Sequence, residues 1–291
     1  MFAIDYYQQA ESVAQAVALL AAEPGARLIA GGTDVLIRLR EGRGDYARLV
    51  DINGLEELRG IGLADDGTLR IGALSTFRQV MASDDVRRLV PVVAEAVGTA
   101  GGPQLRNVAT VGGNICNGAV SADSVGALLV HDAQLEIQGP EGRRRTPLQG
   151  FHTGPGRVAL ARDEVLVALH IRPRDYRGFG AAYYKYAMRE AMDIATIGCT
   201  AAVRLEGEAI GELRLVFTVA APTPVRCAHA EAAAAGRPLT AETLDAVAAA
   251  VAADVQPRTS WRARQDFRLH IIRTLAARVT RRAAERAGGK F

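Results

Sequence analysis

Two glycine–polar turns decide the interpretation of this chain: Ala30-Gly31-Gly32-Thr33-Asp34 and Thr110-Val111-Gly112-Gly113-Asn114. Glycine lets a ligand approach the backbone without a Cβ in the way, and N–H groups at a helix N-terminus favour anions. Neither turn fits the nucleotide fingerprints G-x-G-x-x-G or G-x-x-x-x-G-K-S/T. Together they predict two backbone contacts to one large phosphate-bearing cofactor. For each turn alone, an ordinary β-to-α connection is the alternative.

The composition indicates an ordinary globular protein of about two domains. The chain has 291 residues, 49% of them hydrophobic, and its net charge of +3 is too small to indicate a nucleic-acid partner. Its cysteines, Cys116, Cys199 and Cys227, form no C-x-x-C pair. This spacing argues against an iron–sulfur cluster, a structural zinc site or a disulfide framework, and no metal ligand set is expected.

Membrane and export signals are not expected. The N-terminal residues 1–5 lack the basic and apolar parts of a signal peptide. No apolar stretch reaches the roughly 18 residues that span a bilayer. The sequence therefore predicts a cytoplasmic protein without a membrane partner.

The hydrophobic pattern of the first part predicts a β-turn-α-β unit built around the first glycine turn. Two hairpins and several helices follow it. The predicted hairpins are 58–63 with 68–72 and 133–138 with 143–147, the helices are 76–82, 85–97 and 123–131, and the last strand is 163–171.

A polar run with proline and glycine, 172–178, predicts the domain boundary, which gives domains 1–176 and 177–291. Beyond it, three alternating segments predict an antiparallel sheet, followed by three helices. The last helix, 260–287, carries many arginines opposite an apolar stripe of Phe267, Ile271, Leu275 and Val279. The basic side is interpreted as the solvated face, with subunit contact as the alternative.

Several motifs, taken together, resemble the FAD-binding subunit of the molybdenum hydroxylases. They cover essentially the whole chain in order, and the last two point to the flavin subunit of bacterial three-chain xanthine dehydrogenases. The motifs are AGGTDVL at 30–36, ATVGGNI at 109–115, SAD at 121–123, YKYAMR at 184–189, MDIA at 192–195, GFHTGPG at 150–156 and APTPVRC at 221–227.

The resemblance implies an α+β fold: a two-part FAD-binding domain of the vanillyl-alcohol oxidase type, then a smaller α+β domain with a three-stranded antiparallel sheet and helices. It also implies which residues bind the cofactor. One side of FAD contacts Leu28, Ile29, Ala30, Gly31, Gly32, Thr33, Asp34 and Val35. The other side contacts Thr110, Val111, Gly112, Gly113, Asn114 and Asp123, and Leu166 and Lys185 close over the cofactor.

By the same resemblance, the chain is an electron-transfer subunit with no catalytic residue of its own. A molybdenum cofactor on a large partner chain oxidises a purine, and [2Fe–2S] clusters on a small partner chain carry the electrons to FAD. The electrons then leave as a hydride to NAD⁺. The three chains are expected to pair into a dimer of heterotrimers.

Alternatives remain open from the sequence alone. The partner large chain of a related enzyme acts on carbon monoxide, an aldehyde or an N-heterocycle, and a scaffold that has lost its flavin is a further possibility. His152, in the loop 150–156, is interpreted as structural, with contact to a nicotinamide nucleotide or a partner chain as the alternative. Cys116 is interpreted as an inert buried thiol.

Overall fold

The computed structural model describes residues 4–291, and its N-terminal unit is a small parallel sheet with two helices. The sheet order is β1-β3-β2, with both pairs parallel. The elements run β1 (Tyr6–Gln9), α1 (Val13–Ala22), β2 (Arg27–Ile29), α2 (Val35–Arg40) and β3 (Arg48–Asp51). The predicted β-turn-α-β unit is therefore present, with β1 added at its edge. Residues 1–3, part of the stretch for which no signal peptide is expected, lie outside the described residues.

Helix α1 begins where its sequence provides a cap. The Ser12 hydroxyl accepts the N–H of Gln15 at 3.1 Å, which satisfies one of the unpaired donors of the first turn. Val13, Val17 and Leu20 are buried on one face. Gly25, at φ +82°, then turns the chain toward β2, which delivers it into the first glycine turn.

The second unit is a five-stranded antiparallel sheet covered by short helices, with strand order β4-β5-β10-β6-β7. Its strands are β4 (Ile61–Leu63), β5 (Leu69–Gly72), β6 (Gln134–Gly139), β7 (Gly142–Pro147) and the fully buried β10 (Val165–Ile171). A separate two-stranded hairpin consists of β8 (His152–Gly154) and β9 (Arg157–Val158). Both predicted hairpins are thus present.

The helices between β5 and β6 include a break that the hydrophobic pattern did not predict. They are α3 (Phe77–Ala82), α4 (Asp84–Leu89), α5 (Pro91–Gly98), α6 (Pro103–Val108), α7 (Val111–Cys116) and α8 (Asp123–Leu129). The single helix predicted over 85–97 is wrong, because the chain breaks at Val90, which has φ −138° and ψ 55°. Pro91 has no N–H and disfavours a helical residue before it, so it starts a new helix instead.

The C-terminal unit is a four-stranded antiparallel sheet with helices against one face. After α9 (Pro173–Tyr176), the sheet order is β11-β12-β13-β14. The strands are β11 (Phe179–Tyr186), β12 (Ile197–Glu206), β13 (Ala209–Thr218) and β14 (Val225–Arg226), and the helices are α10 (Ala228–Ala234), α11 (Ala241–Ala250) and α12 (Gln265–Arg286). The three predicted strands are present, and the two-residue β14 extends their sheet.

One arginine of the last helix, α12, does not lie on the predicted solvated face. The helix begins at Gln265 rather than at residue 260, because Ser260 and Ala263 form a β-bridge first. Arg268 is buried, not solvated, and donates to the backbone oxygen of Thr196 and to Ser260 Oγ. Phe267, predicted on the apolar stripe, is 44% exposed, whereas Leu275 and Val279 are buried as expected.

The largest core cluster joins residues from both sides of the predicted domain boundary. It unites the helices of the second unit with Ala181 and Tyr183 of β11, Ala202 of β12 and Val216 of β13. A second cluster lies between the C-terminal sheet and its helices. The C-terminal sheet therefore packs on both faces, and one of them contributes to the same core as the second unit. No helix within residues 4–291 is long and apolar enough to cross a membrane.

His131, at the end of α8, makes stability at acidic pH a testable property of this fold. Its Nδ1 lies 2.9 Å from the backbone oxygen of Asp175, and burial lowers the pKa of the ring from 6.5 to about 4. The unfolded chain therefore binds this proton first, and stability is lost as the pH falls from about 6.5 to 4. One pKa unit corresponds to about 1.4 kcal/mol, so this residue contributes a loss of about 3 kcal/mol.

Urea unfolding at pH 7.5, 5.5 and 4.5 measures this loss. His131→Gln is expected to flatten the pH dependence of the unfolding free energy, whereas the exposed control His270→Gln is expected to leave it unchanged. An unchanged slope in the His131 variant would show that this ring is not the titrating group.

Candidate functional site

The first glycine turn provides backbone donors that the protein itself does not use. Among the described residues, the N–H groups of Gly31, Gly32, Thr33 and Asp34 donate no hydrogen bond. Gly32 has φ +70°, a conformation that favours glycine. Asp34 occupies the N-cap position of α2, but its side chain caps nothing. The turn therefore presents consecutive N–H groups at the start of a helix, an arrangement suited to an anion.

The second segment is a helix rather than an open turn. Thr110 caps α7 by accepting the N–H of Gly113 at 3.1 Å, while Val111 and Gly112 donate to the backbone oxygens of Ser75 and Ala73. The expectation of free N–H groups is therefore wrong for this segment, because its first donors connect α7 to the loop after β5. Gly112 is required for that approach, since an added Cβ would lie 2.7 Å from the Ala73 oxygen.

The fold brings the two glycine segments together. Gly31 packs directly on the backbone of Val108, the last residue of α6, and an added Cβ would overlap the Val108 oxygen. Val108 lies just before Thr110, so the start of α7 is adjacent to the first turn. The two motifs, nearly eighty residues apart in the chain, are thus parts of one site.

A cavity of about 520 Å³ lies over both segments. This size is typical of ligand pockets. The implied cofactor-binding residues that line it are Leu28, Ala30, Gly31, Gly32, Thr33, Asp34, Val35, Thr110, Gly112, Gly113 and Leu166. Further lining residues that the sequence did not single out include Arg27, Asp45, Tyr46, Leu160, Arg162 and Glu164. Arg27 directly precedes Leu28 on β2, the others come from later segments of the chain, and no local motif marks any of them.

Most of the charged side chains at this cavity already have partners. Arg27 pairs with Asp45 at 3.2 Å and lies over the Tyr46 ring at 4.5 Å. Glu164 is bound through both oxygens by Arg144, which lowers the pKa of that carboxyl. The first turn adds backbone N–H groups without acceptors to this lining.

Neither Cys116, which lines the cavity, nor His152, which contacts α7, has reactive character. Burial raises the pKa of the Cys116 thiol to about 12, so the thiolate is not formed at neutral pH. His152 is buried, its Nε2 lies 3.2 Å from the Ile115 oxygen, and burial lowers its pKa. The ring thus connects the β8 strand to α7, in line with the structural interpretation.

The other implied residues lie outside the cavity lining. Ile29 packs in a small apolar cluster with Leu39 and Leu49, and Val111 is fully buried. The Asn114 side-chain oxygen accepts a hydrogen bond from Ser124 at 2.6 Å, which connects α7 to α8. These three side chains stabilise the walls of the site rather than its surface.

Asp123 and Lys185 form a second polar centre. The Lys185 ammonium lies 2.9 Å from one Asp123 oxygen and donates to the Thr99 oxygen at 3.1 Å. Tyr183 donates to the other Asp123 oxygen at 2.8 Å. Both side chains of the ion pair are about nine-tenths buried. Desolvation raises the pKa of the Asp123 carboxyl, although Lys185 and Tyr183 oppose that shift.

Within residues 4–291, no group of three or more His, Cys, Asp and Glu side chains is arranged to bind a metal ion.

Comparisons with known proteins agree with this geometry. Residues 1–174 match the family described as the FAD binding domain in molybdopterin dehydrogenase, and residues 182–283 match the CO dehydrogenase flavoprotein C-terminal domain. The chain is 52% identical to the xanthine dehydrogenase FAD-binding subunit of Escherichia coli O157:H7, with 100% of both chains covered.

More distant relatives have the same organisation. The carbon monoxide dehydrogenase medium chain of Hydrogenophaga pseudoflava is 32% identical, with 97% of this chain and 96% of that one covered. A structure of carbon monoxide dehydrogenase from that organism superposes with a TM-score of 0.93 over 98% of this chain and 99% of the other, at 32% identity. The chain belongs to the family of FAD-binding subunits of molybdenum hydroxylases.

Proposed function

We propose that this chain carries FAD as the electron-transfer subunit of an NAD-dependent xanthine dehydrogenase. The proposed complex also contains a molybdenum-cofactor large chain and a [2Fe–2S] small chain, assembles as a dimer of heterotrimers and works in the cytoplasm. The observation that carries the proposal is the row of unused N–H groups at Gly31–Asp34, which line a cavity in a chain 52% identical to a xanthine dehydrogenase FAD-binding subunit.

The residues of the first turn fit the diphosphate of FAD. Its negative charge requires several donors at short range, and the backbone of Gly31 and Gly32 has no side chain in the way. The Thr33 hydroxyl is a further donor in the cavity lining. The domain limits proposed for this function are 1–176 for FAD binding and 177–291 for the C-terminal unit.

The remaining residues define the rest of the proposed cofactor site. Leu166 contributes an apolar wall. Asp123 and Lys185 are proposed to border the flavin, where the ammonium would favour negative charge on the reduced ring. When bound, FAD supplies a carrier that takes electrons from [2Fe–2S] clusters and releases them as a hydride to NAD⁺. The chain itself binds, orients and shields the cofactor.

The test is the purified three-chain complex with xanthine and NAD⁺. We expect xanthine-dependent NADH formation and FAD in a one-to-one ratio with this chain. We expect the single chain to be inert toward purines, because the proposal assigns purine oxidation to the molybdenum cofactor of the large chain. Purine turnover by the single chain, or a complex that reduces artificial dyes but never NAD⁺, would contradict the proposal.

A related substrate class is the second candidate. The chain is also 33% identical to a nicotinate dehydrogenase FAD-subunit from Eubacterium barkeri over 75% of both chains. Because substrate oxidation is assigned to the large chain, turnover of carbon monoxide, an aldehyde or an N-heterocycle by the purified complex, without xanthine oxidation, would favour this candidate. A colourless complex that takes up no FAD would instead indicate a scaffold.

A further inference from the structure

The segment before α12 exposes the one tryptophan of the chain. Trp261 is 77% exposed, and the guanidinium of Arg262 lies over its ring at 4.2 Å. Phe267, in the first turn of α12, is 44% exposed and contacts the Tyr186 ring at a centroid distance of 6.1 Å. We call Arg258, Trp261, Arg262 and Phe267 the Trp261 patch.

The arginines of the Trp261 patch have no carboxylate partner within residues 4–291. The side chains of Arg258 and Arg262 form no ion pair with a described carboxylate, and the buried Arg262 Nε has no acceptor. Arg268 lies beneath them, and its pKa is lowered by burial and then by the charges of Arg258 and Arg262. Only Arg264 nearby is paired, with Asp266 at 3.2 Å.

This combination is typical of a protein-binding surface rather than a small-molecule site. Small-molecule sites are concave and bury most of their ligand, whereas Trp261 stands exposed on the surface. Tryptophan and arginine are the residues most enriched at interface hot spots. Arg258 and Arg262 form no ion pair with a described carboxylate and lie near the buried Arg268, so the patch is positively charged and complementary to an acidic partner.

The position of the patch indicates which of the two partner chains of the proposed complex binds it. Along β11, Tyr183 and Lys185 point toward Asp123, and Tyr186 points to the opposite face, against Phe267. The electron donor must approach the cofactor side of this sheet. The patch lies on the other side, with α12, and is therefore available to the large chain.

We propose that the Trp261 patch docks an acidic segment of the large subunit, with Trp261 entering an apolar pocket and carboxylates contacting Arg258 and Arg262. This inference rests on the proposed function. Arg268 supports the surface from below, because its bonds to Thr196 and Ser260 connect the segment to β12.

The test is recovery of this chain with a tagged large subunit after co-expression of all three chains. Trp261→Ala and the double variant Arg258→Glu/Arg262→Glu are each expected to lower recovery at least about 10-fold, the loss typical of a hot spot. Their FAD content is expected to match the wild type. The matched control, Arg87→Glu/Arg88→Glu on α4, reverses two exposed arginines elsewhere and is expected to assemble normally.

Wild-type recovery of both patch variants would overturn the inference, and so would an equal loss in the control, since assembly would then depend on overall charge. A wild-type chain that binds FAD but never joins the large subunit would instead defeat the proposed function, and the docking site with it.

Because Trp261 is the only tryptophan, its fluorescence tests whether the patch binds a nucleotide or a nucleic acid instead of a protein. A saturable change with ADP or a single-stranded oligonucleotide would assign the patch to that ligand instead.

Discussion

Gly31→Ala is expected to abolish FAD binding and to destabilise the fold by about 3 kcal/mol. The added methyl group would overlap the backbone oxygen of Val108, and a backbone carbonyl at the end of α6 cannot rotate away like a side chain. The first turn would then separate from the start of α7, and its N–H groups would lose their common orientation. FAD content, measured from the absorbance of the purified chain, and urea unfolding give the two readouts.

Gly44→Ala is the matched control, because an added Cβ there meets nothing within 4 Å and the residue does not have positive φ. Gly44 lies in the same N-terminal unit as Gly31, between α2 and β3. We expect normal FAD content and an unfolding free energy within about 0.5 kcal/mol of the wild type. Normal FAD binding by Gly31→Ala would show that contact between the two glycine segments is not needed for the site.

Lys185→Met is expected to destabilise the protein by about 3–5 kcal/mol, the usual cost of removing one partner of a buried ion pair. Asp123 would remain in a desolvated position with only Tyr183 as a side-chain donor. Without the ammonium, the pKa of its carboxyl rises further. A carboxyl with a raised folded pKa is protonated more readily in the native state, so the penalty is expected to be smaller at pH 5 than at pH 8.

The double variant Asp123→Asn/Lys185→Met separates the ion pair from the loss of packing. Because it leaves no uncompensated charge, we expect it to be less destabilised than Lys185→Met alone, with a coupling energy of about 1–3 kcal/mol. Denaturant unfolding of all four proteins in the cycle measures this energy. A single variant that costs under about 1 kcal/mol, or additive losses, would contradict a structural role for the pair.

The sequence marked the first glycine turn as a candidate anion site because its signal is local. The strand, the glycine turn and the start of α2 are contiguous, so Gly31–Asp34 could be interpreted as one connection with a known preference for anions. The resemblance extended the implied contacts to Leu28–Val35. Leu166 and Lys185 entered only through the resemblance. The assignment of FAD contacts to all of these residues, and to Thr110–Asn114 and Asp123, stays a prediction.

The parts that sequence reasoning missed depend on contacts between distant segments. Whether the N–H groups of Val111 and Gly112 are free is decided by Ser75 and Ala73, which accept them. Arg268 is buried against Thr196, the residue before β12, some seventy residues earlier. Helical periodicity places an arginine on a face but cannot say what covers that face. Pro91, in contrast, was a local signal for the break between α4 and α5.

The most direct test of the central claim is titration of the cofactor-free chain with FAD and, separately, with riboflavin. If the donors of Gly31–Asp34 bind the diphosphate, FAD is expected to bind one-to-one and at least about 100-fold more tightly than riboflavin, a difference of about 2.7 kcal/mol. Equal affinity for the two flavins would contradict the assignment of the first glycine turn as a diphosphate site. Failure to bind FAD, both alone and in the assembled complex, would contradict the account as a whole.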